Sequence, residues 1–147
     1  MKTLFISVLF AVASAKLFAQ TDTSNSFSKS SDTSAMAKIY FIRSTGYVGS
    51  AVNLRVVVDD VQRCKVRNNR YAVVFVEPGS HRFNATSWDK SGSPEKFALK
   101  MPVVAGKTYY MSMLIKQKFI GIEILLEEIT YNTAGPLLAK YKQDECD

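Results

Sequence analysis

The chain has 147 residues, 47% of them hydrophobic and 22% charged, with 19 Lys and Arg against 13 Asp and Glu for a formal charge of +6. That hydrophobic share excludes a wholly disordered or collagen-like chain, and the length fits one domain with a core of its own. Two cysteines and one histidine are too few soft ligands for a structural zinc site.

In chain order the first element is an export signal. Lys2 precedes a short apolar run, Leu4 to Val12, and small residues then offer cleavage after Ala15 or after Ala19. The run is shorter than the roughly 20 residues of a spanning helix, and Lys16 closes it, so residues 1–19 read as a cleaved signal peptide. No Cys stands near either cleavage point to accept a lipid. The expected product is periplasmic or extracellular, soluble, not lipid-anchored and without a stable membrane span. Residues 20–36 follow as a flexible leader: Thr21 to Met36 hold nine Ser or Thr and a single aromatic, Phe27.

From Ala37 the pattern turns to strands. Lys38 to Arg43 is a first strand, and Val52 to Val58 alternates, with Val52, Leu54, Val56 and Val58 on one face. Asp59-Asp60 turns into Val61 to Val66, and Asn68-Asn69 turns into Tyr71 to Val76, a run so continuously apolar that it reads as a strand buried on both faces. Glu77-Pro78-Gly79 turns into His81 to Trp88. After a polar loop, Asp89 to Pro94, come Phe97 to Val104, with Pro102 marking an edge, and Thr108 to Ile115 after Gly106. Gly121 to Ile129 reads as a strand by its hairpin-length connection, and Pro136 to Tyr141 as a short helix with Pro in its first turn. The expectation is an all-β single antiparallel β-sandwich, immunoglobulin-like or transthyretin-like, of about seven strands, spanning residues 37–143, with a polar tail at 144–147.

Catalytic signals are weak. His81 is the only histidine, no G-x-S-x-G elbow or phosphate-cradling glycine loop occurs, and the carboxylate pairs Asp59-Asp60 and Glu127-Glu128 fall in a turn and on opposite faces of a strand. No cofactor is implied. The sharper feature is a basic ladder: Arg63, Lys65 and Arg67 alternate with Cys64 and Val66, so strand periodicity turns the three cations to one face. Arg55 on the preceding strand and Arg70 in the next turn extend it. Such a face suits an anionic envelope polymer or an acidic envelope protein, while the plainer alternative is a solvated strand whose charges protect a sheet edge. Nucleic acid fits neither the compartment nor the lack of interleaved stacking aromatics. Cys64 and Cys146 could form one disulfide in an oxidising compartment, or remain a buried thiol and a free one; spacing does not choose.

An aromatic strand ending in Arg43, then Gly46-Tyr47-Val48-Gly49-Ser50, Val57-Val58-Asp59-Asp60, Asn69-Arg70-Tyr71, Glu77-Pro78-Gly79-Ser80-His81 and Ala105-Gly106-Lys107-Thr108-Tyr109-Tyr110, occur in that order. Together they resemble an exported bacterial family known as domain of unknown function 2846, over about Ala37 to Ile129. The resemblance implies an envelope-exposed β-sandwich and no assigned reaction. Many of its members look lipid-anchored, which this chain, lacking the acceptor Cys, does not. Asp60 stands where the family usually has Gly, a difference of turn geometry. Arg43, Gly79, His81, Gly106, Tyr109 and Tyr110 read as residues that determine the fold rather than bind a ligand.

The functional expectation is a non-enzymatic binding or scaffolding module of the envelope. The alternative is an exported hydrolase of an envelope ester or glycan that uses His81. A third reading is strand addition through the leader or an exposed edge.

Overall fold

The structure is a computed structural model that describes residues 35–47, 49–87, 97–120 and 122–146. The expected signal peptide, most of the expected leader, Trp88, the Asp89–Pro94 loop and the tail residue Asp147 lie outside the described residues.

Nine strands and one helix occur among the described residues: β1 (Ala37–Arg43), β2 (Leu54–Val58), β3 (Val61–Val66), β4 (Arg70–Val76), β5 (Gly79–Thr86), β6 (Leu99–Val103), β7 (Thr108–Gln117), β8 (Ile122–Ile129), α1 (Tyr131–Lys140) and β9 (Lys142–Gln143). They form two sheets, a five-stranded one in the order β8-β7-β1-β4-β9 and a four-stranded one in the order β3-β2-β5-β6. Alternation puts one face of every long strand inward. Ile39 and Phe41 of β1, Val56 of β2, Phe83 of β5 and Met111 and Met113 of β7 are fully buried in one core between the sheets. The Phe41 and Phe83 rings meet across it with centroids 6.1 Å apart.

Two expectations about the sheets are corrected. The strands number nine rather than about seven, and the pairing is not purely antiparallel: β1 pairs antiparallel with β4 but parallel with β7, and β9 pairs parallel with β4. A parallel neighbour needs a long crossover, and the excursion of the chain through the four-stranded sheet between β1 and β7 supplies it. The two-residue β9 is too short to leave a periodic trace in sequence.

The apolar run of β4 is not buried on both faces. Ala72, Val74 and Val76 point into the core, whereas Phe75 is 41% exposed. Only part of the outer face of this sheet is covered, by α1, which packs over β1 with Ala134 buried. Beside the helix, Tyr71, Tyr40, Tyr110 and Tyr131 form a continuous row, with successive ring centroids 5.9, 5.3 and 5.7 Å apart. Aromatic neighbours on adjacent strands stabilise the pairing through ring contacts while their hydroxyls stay wet.

The helix begins five residues before the expected start, at Tyr131, so Pro136 sits inside it rather than in its first turn. An interior proline removes one backbone bond. Here it lies on the exposed side, and the last turn still closes through the Tyr141 N–H on the Leu137 carbonyl at 2.9 Å. No described helix is long and apolar enough to cross a membrane.

Candidate functional site

The outer face of the four-stranded sheet is where the expected cations fall, in altered membership. Arg55 of β2 lies directly opposite Lys65 of β3, and residues paired across strands share a face. Opposite Val56 and Val57 the register shifts by one, leaving Arg63 as the extra residue of a β-bulge; it stays exposed. On the other side Arg55 pairs with Thr86 of β5. Alternation back along β5 puts Arg82 on the same face, and Arg82 is paired with Lys100 of β6. The face thus carries Arg55, Arg63, Lys65, Arg82 and Lys100, drawn from all four strands.

Two of the expected cations leave that face. Arg70 is the first residue of β4, in the other sheet. Arg67 lies just past β3 and is committed to Asp144: its Nε and Nη2 donate to Oδ1 at 2.9 and 2.5 Å, and its backbone N–H to Oδ2 at 2.8 Å. Asp144 is only 4% exposed. Burial alone would push its carboxyl up, but the hydrogen bonds from Arg67, with the charges of Arg67 and Arg70, outweigh that and hold it below the usual carboxylate range. Lys65 and Arg67 line an open cleft of about 410 Å³ together with Asn53, Gln143, Asp144 and Glu145, so this end of the face is of mixed charge.

Asp144 is held there by its own segment of chain. After α1 the chain adds β9 to the edge of β4, and the Asp144 N–H donates to the Tyr71 carbonyl at 2.7 Å. Cys146 then reaches β3 and is bonded to Cys64, with Cα atoms 4.6 Å apart and a sequence separation of 82. The segment therefore straps the edge of one sheet to the edge of the other. The final residues are built into the domain up to Cys146.

His81 is held on both ring nitrogens. Nδ1 lies 2.6 Å from Asp59 Oδ2, and Nε2 lies 2.7 Å from the Glu77 carbonyl. Both partners accept, so both nitrogens must donate, and the arrangement favours the imidazolium. Burial works against the charge, yet the bonds to Asp59 and Glu77 and their negative charges raise the imidazole above its ordinary value. A carboxylate on Nδ1 is half of a catalytic triad, but Nε2, which would face a nucleophile, is taken by a backbone carbonyl. The geometry is that of a clamp. It fastens the β2–β3 turn, where Asp59 and Asp60 take left-handed conformations at φ 48° and 66°, to the β4–β5 turn. Asp59 also accepts from the Arg82 N–H at 2.9 Å, and Asp60 pairs with the Arg82 guanidinium.

Arg43 is fully buried and has no carboxylate beside it among the described residues. Nη1 donates to the Val66 carbonyl at 2.9 Å and Nη2 to the Gly49 carbonyl at 2.6 Å, while Nε is buried without a partner. The fork of one guanidinium thereby joins β1, the end of β3 and the loop after β1. Gly49 itself has φ 75°, a conformation strained for most side chains, and a Cβ there would lie 2.6 Å from Ile115 Cδ1, which would have to move. The remaining motif residues also serve the frame. Tyr109 accepts at its hydroxyl from the Val104 N–H at 3.0 Å, closing the β6–β7 turn in which Gly106 has φ 70°. Gly79 opens β5 at φ 145°, and Tyr110 stacks on Tyr40.

These residues follow the order of a recognisable pattern. Residues 33–123 match the family described as Protein of unknown function (DUF2846). The chain belongs to this family. No curated protein and no solved structure matches it. The family match covers the Arg43 fork, the His81 clamp and the whole cationic face, and stops short of α1, β9 and Cys146. The disulfide strap thus lies half inside the family region, at Cys64, and half outside it.

Arg82 and Lys100 are the members of the face that sequence reasoning missed. Alternation along β5 does separate Arg82 from His81 and Phe83, but placing it beside Lys100 and four residues from the partner of Arg55 requires the register. Among the described residues, no three His, Cys, Asp or Glu side chains gather as a metal site.

Proposed function

We propose that the protein is an exported, non-enzymatic binding or scaffolding module of the bacterial envelope, and that its contact surface for an anionic polymer or acidic protein is the outer face of the four-stranded sheet. The observation that carries this reading is the concentration of Arg55, Arg63, Lys65, Arg82 and Lys100 on one sheet face, with Arg55 opposite Lys65 and Arg82 opposite Lys100. Arg82 keeps its pair with Asp60, and a polyanion laid across the four strands would meet the summed positive charge of the face. The engagement of both His81 nitrogens supports a structural role for that residue over a hydrolytic one. In this reading a sandwich of immunoglobulin-like or transthyretin-like kind, modified by the parallel β1–β7 pair, is the rigid frame that presents the charges.

The test is co-sedimentation with purified anionic envelope polymers over a salt series. The triple variant Arg63→Glu, Lys65→Glu, Lys100→Glu is run beside the parent; Arg67 is left intact because it holds Asp144. Binding that weakens with salt and disappears in the variant supports the assignment. Equal binding by the variant removes this face as the site.

A further inference from the structure

The parallel pairing of β1 with β7 has a consequence for one end of the molecule. Arg43, the last residue of β1, lies opposite Met113 of β7, so the loop after β1 and the β7–β8 hairpin leave the sheet at the same end. The loop and the hairpin meet where Gly49 approaches Ile115. Each carries large hydrophobic side chains that the fold does not use: Tyr47 is 97% exposed, Phe119 104% and Ile120 88%. Scattered single hydrophobics on a surface need no explanation, but sequence-adjacent Phe119 and Ile120, both almost wholly exposed at a hairpin tip, with Tyr47 exposed on the loop at the same end, give that end an apolar projection. Lys116 and Lys118 precede the tip on the same arm of the hairpin, Lys116 opposite Glu123 in the β7–β8 ladder and Lys118 with its Nζ 2.7 Å from Glu123 Oε2.

We propose that this end docks on the surface of an anionic lipid bilayer, with Phe119 and Ile120 inserted to the level of the headgroups and upper acyl chains and Tyr47 at the interface. Three features select a bilayer over a protein pocket. The projection is convex, and a bilayer receives a convex apolar tip without a preformed cavity. Its composition, Phe and Ile at the tip with Tyr and Lys at the same end, is that of side chains that partition to a membrane interface. The exposed lysines next to the tip in sequence supply ammonium groups for anionic headgroups. Beneath the tip, the Arg43 fork holds the carbonyl of Gly49 to β1, so the loop carrying Tyr47 has a fixed base. The cationic sheet face is a separate surface and is not needed for this contact.

The experiment is vesicle flotation with protein purified in the form the expressing cell exports, its N-terminus established by mass spectrometry. The parent, Phe119→Ser/Ile120→Ser and Lys116→Glu/Lys118→Glu are compared on phosphatidylglycerol-containing and on pure phosphatidylcholine vesicles. The parent should bind the anionic vesicles, and the apolar double variant should bind them at least roughly tenfold more weakly, since full burial of either side chain is worth about that factor or more. The lysine variant should lose up to roughly fivefold per charge on anionic vesicles, less to the extent that Glu123, which faces both lysines, already offsets them, and little on neutral ones. A Phe119→Trp variant supplies an independent reading: compared with the parent, which has Trp88 alone, it should show added emission that shifts blue with vesicles and is quenched by brominated lipid. Because Phe119 and Ile120 are almost wholly exposed, thermal unfolding of the Ser double variant and of Phe119→Trp should match the parent. Unchanged binding by the Ser double variant overturns the proposal, as does a parent that binds neither vesicle. Self-association in sedimentation velocity that the Ser double variant abolishes, without vesicle binding, would also overturn it and assign the tip to a second copy of the chain.

Discussion

The two ends of the sandwich are closed by different chemistry. At the Arg43 end, a guanidinium donates to two backbone carbonyls, a disulfide ties β3 to the final residues, and Asp144 takes three hydrogen bonds from Arg67. At the Ala37 end, an imidazole bridges two turns through Asp59 and the Glu77 carbonyl. Burial pulls the Arg43 guanidinium down from its usual value, but it starts so high that it keeps its charge at any pH a folded protein meets. His81 has no such margin. One end is therefore locked by groups whose state is constant near neutral pH, and the other by a group that titrates there. The constant end is also the one that projects Tyr47, Phe119 and Ile120.

If that contrast is right, the largest loss should come from the fork. Arg43→Ala removes a fully buried side chain and leaves the Val66 and Gly49 carbonyls without their donor, so unfolding by urea should show a loss of about 3–5 kcal/mol. Arg43→Lys should recover little of it, because one ammonium on a flexible stem does not reproduce the planar fork. Next comes the strap. Replacing Cys64 and Cys146 by Ser, or reducing the bond, opens a loop closed over 82 residues and should cost about 2–4 kcal/mol. Amide exchange should then accelerate at Asp144, whose N–H is bonded to the Tyr71 carbonyl, before it does so in β1. Equal exchange rates in the reduced and oxidised proteins would mean that the strap holds without its bond.

Asp144→Asn should cost less than the strap, and it probes the acid side. The carboxyl is held below its unfolded value of about 3.9, so its contribution is present above that pH and is lost as pH falls through the lower folded value. The parent should therefore lose stability below about pH 4 more steeply than Asp144→Asn does. Parallel curves in that range would show that the pairing with Arg67 adds nothing to folding.

Much of this frame was legible in sequence because strand alternation and turn chemistry are local. The left-handed Asp60 and Asn69 turns, the glycines at 79 and 106, the Pro102 edge strand and the strand expected over Gly121 to Ile129 all rest on a few adjacent residues. What failed depends on register or on cover. The apolar β4 run looks like a two-sided core strand until α1 is seen to pack over β1 and to leave Phe75 exposed. Arg67 looks like a rung of the basic ladder until Asp144, 77 residues later, takes it. Arg82 and Lys100 join Arg55 only through pairing across β5, which no period in the sequence encodes. Phe119 falls in the hairpin-length connection from Lys116 to Phe119 that the sequence implies, but that its side chain and that of Ile120 stand almost wholly exposed is a property of the folded hairpin.

The smallest effect tests the titrating end, and its sign is the informative part. The folded imidazole of His81 is raised above its unfolded value of about 6.5 by Asp59 and Glu77, against the opposing pull of burial. The clamp's contribution is thus full below about pH 6.5 and is lost as pH rises through the folded value. His81→Gln, which can reach one of the two acceptors but carries no charge, should cost at most about 1 kcal/mol at pH 5.5, with the difference from the parent shrinking towards pH 9. A general base would behave in the reverse sense, gaining function as it loses its proton. A difference between parent and variant that grows with pH would undo the clamp assignment and return His81 to the candidates for chemistry. A difference that closes with rising pH leaves the imidazolium as the form that holds the two turns together.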